Sequence, residues 1–118
     1  MRMTKQRKDL LAVLNASSLP LSSEEIYAKL SEKDINLSTV YRSLEAFFEA
    51  EIVRKTIINQ IQYYYTGHHH HFLFCTNCHQ MIPVGCHIED NEKAIGEPYG
   101  FKVTHHDMTI YGICANCQ

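Results

Sequence analysis

Cys75-Thr76-Asn77-Cys78 and Cys114-Ala115-Asn116-Cys117 are the two stretches that decide how the second half of this chain folds. Each C-x-x-C stretch presents two thiolates on one tight turn, and two such turns complete a tetrahedral four-sulfur site. Zn²⁺ is the expected ion because it favours thiolate ligands and tetrahedral coordination. The alternatives are two disulfides, four buried thiols or a redox motif, and the last is disfavoured because no βαβ pattern surrounds either stretch.

The length and composition predict a globular protein of one compact domain or two very small ones. The chain has 118 residues, 45% of them hydrophobic and 20% charged, with a net charge of −2. No apolar run approaches the ~20 residues needed to cross a bilayer, and no secretory signal is recognisable at the N-terminus. We therefore expect a cytoplasmic protein, without a membrane partner, whose cysteines are reduced and available for metal.

Charge and metal-binding side chains divide the chain into two parts. Residues 1–66 carry nine Lys and Arg against eight Asp and Glu, whereas residues 67–118 carry two against five. All eight His and all five Cys fall in the second part. This division predicts two domains, one over residues 1–66 that carries the basic side chains and one over residues 67–118 that carries the metal-binding side chains.

The first part is predicted to contain three helices. Thr4 is a candidate N-cap for a helix that ends near residue 15, and Ser22 and Glu25 have the spacing of a capping box for a helix over residues 23–32. Ser38 is the predicted cap of a third helix. The apolar face of that third helix recurs at helical spacing, at Val40, Leu44, Phe47 and Phe48.

Two strand-like runs, residues 52–58 and 61–66, flank Asn59-Gln60 and indicate a tight hairpin after the helices. Three helices and a hairpin describe a winged helix, in which the third helix enters the major groove of DNA. Thr39, Tyr41 and Arg42 lie in the first turns of that helix, and an Arg there can bond guanine or clamp a phosphate. The alternative is a solvated polar face in a module that binds protein.

The second part is predicted to form strands at residues 72–74 and 81–84, a weak helix over residues 88–96, and a strand pair or long strand over residues 101–111. The two cysteine pairs enclose this whole unit because 35 residues separate Cys78 from Cys114. Structural zinc contributes on the order of 10 kcal/mol to folding, so chelation is expected to unfold a unit this small.

The histidine run is the second metal signal. If residues 68–71 are extended, His69 and His71 share one face and His68 and His70 share the other, which allows two sites built from imidazole nitrogen and oxygen ligands. The alternative is a solvent-exposed run. Other residues are left open as ligands by the sequence, and these are Cys86, His87, Glu89, His105, His106 and Asp107.

Taken in order, these stretches resemble the ferric uptake regulator family. The resemblance is carried by Thr4-Lys5-Gln6-Arg7, residues 38–44, the histidine run, the two C-x-x-C stretches and Ile110-Tyr111-Gly112, and it covers nearly the whole chain. It implies a dimeric metalloregulator that represses transcription. The implied α+β fold has an N-terminal winged helix-turn-helix and a small α/β dimerisation domain with a four-cysteine zinc site and one or two regulatory metal sites.

The resemblance also implies roles for particular residues. Tyr41 and Arg42 match the recognition-helix pair, and Arg7 matches the Arg of the first DNA-facing helix. Glu89 matches the family's helix carboxylate ligand, and His106 matches its late His ligand. With His69 and His71 they would make a regulatory site, and His68 and His70 are held as further candidates.

The sequence departs from the family pattern at several positions. The usual N-terminal extra helix is almost absent, and Pro20 and Tyr64 stand where the family often has metal ligands from the winged helix. A regulatory site between the two domains is therefore expected to be missing or rebuilt. Peroxide-sensing members use Asp at the position of Glu89, which disfavours that branch.

The prediction is a homodimeric repressor that controls metal-ion homeostasis through a structural Zn²⁺ and a second divalent ion, Zn²⁺ or Fe²⁺. Its partner is double-stranded operator DNA with half-sites about 34–36 Å apart. A zinc-ribbon interaction module or a metal store without DNA binding are the alternatives. Neither an enzyme nor a small-molecule substrate is expected, because H-E-x-x-H, nucleophile-elbow and phosphate-cradling motifs are missing.

Overall fold

The computed structural model of the chain describes residues 1–30, 34–67, 71–86 and 91–118. It divides into two units, Met1–His68 and His69–Gln118. Among the described residues, no helix has both the length and the apolar character that a membrane span requires.

Unit 1 contains the three predicted helices, α1 (Lys5–Ala16), α2 (Ser23–Lys29) and α3 (Leu37–Glu49). The predicted first cap is confirmed, because the Thr4 hydroxyl accepts the backbone N–H of Arg7 at 3.2 Å. The predicted capping box is also confirmed. Ser22 Oγ accepts the N–H of Glu25, and the Glu25 carboxylate accepts the N–H of Ser22 at 3.0 Å.

Two helix boundaries differ from the prediction. The cap of α3 is Asn36 and not Ser38, because the Asn36 Oδ1 atom accepts the N–H of Thr39 at 2.8 Å and also the Ser38 hydroxyl. Helix α2 ends at Lys29 and not at residue 32, since Leu30 has extended backbone with ψ at 132°. Residues 31–33 lie outside the described residues.

The wing follows as an antiparallel pair, β1 (Arg54–Ile58) and β2 (Ile61–Tyr65). Asn59 and Gln60 both have left-handed backbone, with φ at 52° and 68°. Two such residues make the turn whose twist matches that of the flanking strands. The helices enclose one apolar core with β2, and its fully buried members include Leu10, Ile26, Val40, Leu44 and Phe47.

Unit 2 contains the strands β3 (His71–Cys75), β4 (Met81–Val84) and β5 (Thr109–Gly112). They form one three-stranded sheet in the order β4-β3-β5. Strand β3 pairs antiparallel with β4 and parallel with β5. The strand pair or long strand predicted over residues 101–111 is wrong, because residues 101–108 form no strand and only β5 pairs with β3, from Thr109 to Gly112.

The connection from β4 to β5 carries a short helix, α4 (Glu92–Gly96), followed by a 3-10 turn (Glu97–Tyr99). The helix predicted over residues 88–96 is therefore present from Glu92 onward, and its start at residues 88–90 lies outside the described residues. The helical turn ends at Gly100, which has a left-handed φ of 68° that favours glycine.

Replacing Gly96 by alanine is expected to destabilise unit 2 by about 1–3 kcal/mol, the usual cost of overpacking. Gly96 is buried, and a Cβ atom there would lie 2.6 Å from Val103 Cγ2 and 3.1 Å from Phe101 Cβ. Urea unfolding of the zinc-loaded protein measures the difference. Gly112→Ala is the control, because its Cβ would meet nothing within 4 Å, and equal midpoints for the two variants would contradict the prediction.

Candidate metal centres and nucleic-acid interface

The four cysteines of the two C-x-x-C stretches converge at one end of the unit 2 sheet. Cys75 is the last residue of β3, and Cys114 follows shortly after β5. All four Sγ atoms lie within 4.8 Å of one another, and the Sγ atoms of Cys78 and Cys114 are 3.6 Å apart. Zinc–sulfur bonds of about 2.3 Å in a tetrahedron place sulfurs about 3.8 Å apart, so the four positions fit a zinc ion.

The same cysteines are free thiols, so the alternative of two disulfides is not what the structure adopts. Hydrogen bonds from the backbone N–H groups of Cys114 and Cys78 lower the pKa of Cys75 to about 6. The backbone of Gln80 lowers the pKa of Cys78, but the neighbouring Cys114 and Cys75 thiols outweigh it and the pKa rises to about 11. Several thiols this close cannot all ionise, because neighbouring thiolates repel one another. A bound Zn²⁺ would neutralise them, and thiolates are ligands that Zn²⁺ prefers.

A second cluster lies in unit 2 and consists of His71, Cys86 and His106, whose donor atoms are all within 4.8 Å of one another. The Nε2 atom of His106 is 3.0 Å from His71 Nε2 and 3.1 Å from Cys86 Sγ. His71 is fully buried, whereas Cys86 and His106 are half-buried. Two imidazoles and a thiol at these separations can share one ion as ligands.

Only some of the predicted regulatory ligands fall among the residues that the structure describes. The structure brings His71 and His106 together, and it adds Cys86, which the sequence left open. His68, His69, His70, His87 and Glu89 lie outside the described residues. His105 is not part of the cluster, since its ring bonds the hydroxyl of Thr104 at 2.9 Å.

Glu92 is a residue of this site that the sequence reasoning missed. Its Oε2 atom contacts the Nδ1 atom of His106, on the side of the ring that faces away from the other two ligands. The only available signal was a carboxylate inside the helix predicted over residues 88–96, and helices carry acidic side chains for reasons unrelated to metal.

Three of the four candidate DNA-binding residues line one cleft. The cleft has a volume of about 380 Å³ and lies between the starts of α1 and α3. Arg42 donates to the Thr39 hydroxyl at 3.4 Å, and Arg7 donates to the carbonyl of Arg2 at 3.2 Å. Tyr41 is not among the lining residues, and 44% of it is exposed on α3. The arrangement presents guanidinium groups and hydroxyls together, as a phosphate contact requires.

Tyr64, which stands where the family often has a metal ligand, has a structural role in this chain. It is 1% exposed, and its hydroxyl donates to the Glu45 carboxylate at 3.1 Å. Lys55 donates to both oxygens of the same carboxylate, at 3.2 and 3.1 Å. Burial, and then the Glu45 carboxylate, raise the pKa of Tyr64. Glu45 therefore joins α3 to both strands of the wing.

Removing the Tyr64 hydroxyl by Tyr64→Phe is expected to lower stability by about 1 kcal/mol, the net value of one hydrogen bond. Because the folded-state pKa of Tyr64 lies above its ordinary value of 10.0, this stabilisation is complete below pH 10 and is lost as the pH rises further. Denaturant midpoints of both proteins across this range give the difference. If the stability advantage of the wild type over Tyr64→Phe grew above pH 10, the assignment would be contradicted.

A winged helix, followed by a unit with a four-cysteine cluster and a His-Cys cluster, is typical of DNA-binding regulators that bind metal. The model of the ferric uptake regulator family matches residues 1–111. The chain belongs to this family. The family resemblance and the α+β fold predicted from sequence are thereby confirmed, and DNA binding and transcriptional repression follow from membership.

Individual relatives agree with the family. The ferric uptake regulation protein of Campylobacter jejuni is 34% identical over 126 aligned positions, which cover 100% of this chain and 80% of the relative. The peroxide-responsive repressor of Staphylococcus saprophyticus is 30% identical, covering 99% and 82%. The ferric uptake regulator of Helicobacter pylori, whose structure is described as having three functional metal-binding sites, superposes with a TM-score of 0.83 at 26% identity, covering 99% and 82%.

Proposed function

We propose that this chain is a zinc-responsive repressor that binds operator DNA as a homodimer. The observation that carries the proposal is the position of the Cys86 thiol, 3.1 Å from a nitrogen of His106 and in one cluster with His71. A thiolate combined with imidazoles favours zinc, whereas Fe²⁺ and Mn²⁺ sensing is better served by nitrogen and oxygen ligands alone.

In this proposal the two parts of the sequence have different roles. Residues 1–66 bind DNA, and residues 67–118 hold the ions and form the dimer. Cys75, Cys78, Cys114 and Cys117 hold a structural Zn²⁺ that stabilises unit 2. His71, Cys86 and His106 hold the exchangeable ion, whose occupancy changes the affinity of the dimer for DNA. The proposed location is the cytoplasm, where thiols stay reduced.

Dimerisation is supported by an apolar face of unit 2. Leu73, Ile82, Ile110 and Ile113 are each between 37% and 52% exposed and line one open groove beside β3. Contiguous exposed apolar side chains of this kind mark interaction surfaces in soluble proteins. A second copy is the proposed occupant because regulators of this family bind DNA as dimers.

The proposed DNA contacts lie at the start of α3. Tyr41 and Arg42 are exposed there and would meet base edges and phosphates, while Arg7 and Thr39 would contact the backbone from the adjoining cleft. A dimer of winged helices reads half-sites about 34–36 Å apart, one helical turn of DNA or a multiple of it.

The test is selection of a preferred duplex from a random library, followed by binding titrations with each metal. Protein that already holds structural zinc is mixed with Zn²⁺, Fe²⁺ or Mn²⁺ without oxygen, and binding is measured by fluorescence anisotropy at constant salt. Tight binding with Zn²⁺ that weakens in Cys86→Ser supports the proposal. Binding that responds only to Fe²⁺, or that is abolished by peroxide in the Fe²⁺-loaded protein, would contradict the zinc assignment.

Arg42→Ala is expected to reduce affinity for the selected duplex by about 1–3 kcal/mol, roughly 5- to 150-fold, if the guanidinium reads a base. A phosphate contact would instead lower the affinity uniformly across sequences and reduce the salt slope by about 1. Lys102→Ala removes an exposed positive charge from unit 2 and serves as the control. Equal affinity of the Arg42 variant and the wild type would remove Arg42 from the interface.

A further inference from the structure

We infer that Glu92 is a positioning residue of the regulatory site, which holds the His106 ring so that its Nε2 atom faces the ion. This inference rests on the proposed function, since it concerns the same cluster. Glu92 is not a ligand in this assignment. It acts through His106, by fixing which ring nitrogen carries the proton and where the ring points.

The contacts of His106 separate the two sides of its ring. Its Nδ1 atom meets the Glu92 carboxylate, while its Nε2 atom lies 3.0 Å from His71 Nε2 and 3.1 Å from Cys86 Sγ. The Glu92 carboxylate is not a member of the group whose donor atoms lie within 4.8 Å of one another. Glu92 therefore lies behind the His106 ring, and the other two candidate ligands, His71 and Cys86, lie in front of it.

The chemistry of a neutral imidazole makes this arrangement directional. One ring nitrogen carries a proton and the other has a lone pair, and a carboxylate only accepts hydrogen bonds when ionised. The Nδ1–H of His106 therefore donates to Glu92, which leaves the lone pair on Nε2 for an ion. Carboxylates placed behind metal-binding imidazoles in this way orient the ring, and their loss costs 10- to 100-fold in metal affinity.

The backbone that presents Glu92 is held in place by packing. Glu92 is the first residue of α4, and Gly96 at the other end of this helix fits closely against Val103 and Phe101. Only 20% of the Glu92 side chain and 16% of the His106 side chain are exposed. A largely buried carboxylate on an anchored helix has few other orientations available, which favours its contact with His106.

The experiment is a Co²⁺ titration of protein whose four-cysteine site is already filled with zinc. The variants are Glu92→Gln, which keeps the shape but removes the charge, and Glu92→Ala. Glu97→Gln is the matched control, because Glu97 is an exposed carboxylate in the turn directly after α4. We expect both Glu92 variants to bind Co²⁺ 10- to 100-fold more weakly, with Glu92→Ala the weaker, and the control to bind like the wild type.

Two spectroscopic readouts separate positioning from ligation and from general loss of structure. At saturation, Glu92→Gln should keep the thiolate-to-cobalt band and the d–d band shape of the wild type, because the ligands are the same. Before Co²⁺ is added, ¹⁵N spectra of the neutral ring should show the His106 proton on Nδ1 in the wild type. They should show it shifted toward Nε2 in Glu92→Ala.

Other results would overturn the inference. A changed d–d band in saturated Glu92→Gln would make Glu92 a ligand, and unchanged affinity in both variants would give it no role. The proposed function fails separately, if wild-type protein binds Co²⁺ or Zn²⁺ at this site but its DNA affinity does not respond. In that case the effect of Glu92 on metal affinity would still be measurable and the inference would still be decided.

Discussion

Removal of zinc from the four-cysteine site is expected to unfold unit 2 and to leave the helices of unit 1 folded. Among the described residues, the buried hydrophobic side chains of unit 2 are Phe72, Phe74 and Cys75, whereas unit 1 has a large apolar core of its own. So small a core supplies little hydrophobic stabilisation to a unit of this length. A structural zinc contributes on the order of 10 kcal/mol to folding, which is as large as the whole net stability of a typical small domain.

Cys78→Ser, or a strong chelator, makes this prediction measurable. Two-dimensional amide NMR should show collapsed peaks for unit 2 and dispersed peaks for unit 1, and elemental analysis should show one zinc lost per chain. Cys86→Ser is the matched control, because that thiol belongs to the other cluster, and it should keep both the structural zinc and the fold. A unit 2 that stays folded after complete loss of zinc would contradict the prediction.

The parts of the fold that could be predicted from sequence are those encoded by local signals. The cap at Thr4 and the box of Ser22 and Glu25 involve residues only three positions apart, and both formed as predicted. The cap of α3 was placed two residues late, because Asn36 and Ser38 are both good caps and the choice depends on where the chain enters the helix. Packing around the start of the helix selects one of the two caps, and this packing cannot be read from the sequence.

The candidate sites follow the same distinction. Paired cysteines at C-x-x-C spacing are readable because each pair is one local turn. The second cluster joins His71 to His106 across 35 positions, and Cys86 to His106 across 20, so no spacing rule connects its members. Glu92 could not be identified at all without the fold, since its contact with His106 depends on how α4 lies against the segment that follows it.

His106→Ala is expected to abolish the response of DNA affinity to added zinc while leaving unchanged the DNA affinity of protein that holds only the structural zinc. His106 is the member of the second cluster that contacts both of the others, so its loss removes the ion and not only one bond to it. Coupling between an effector and a ligand is typically 1–3 kcal/mol, which corresponds to about 5- to 150-fold in affinity. The variant should lose the whole of this factor.

The neighbouring His105 provides the matched control, because it is exposed and its ring bonds Thr104 outside the cluster. Anisotropy titrations of His105→Ala should show the full zinc response, and those of His106→Ala none, at the same salt concentration. Coupling is reciprocal, so the selected duplex must also tighten zinc binding to the wild type by the same factor. If duplex leaves zinc affinity unchanged while zinc raises DNA affinity, then the added zinc acts somewhere other than at His71, Cys86 and His106, and the second cluster is not the sensor.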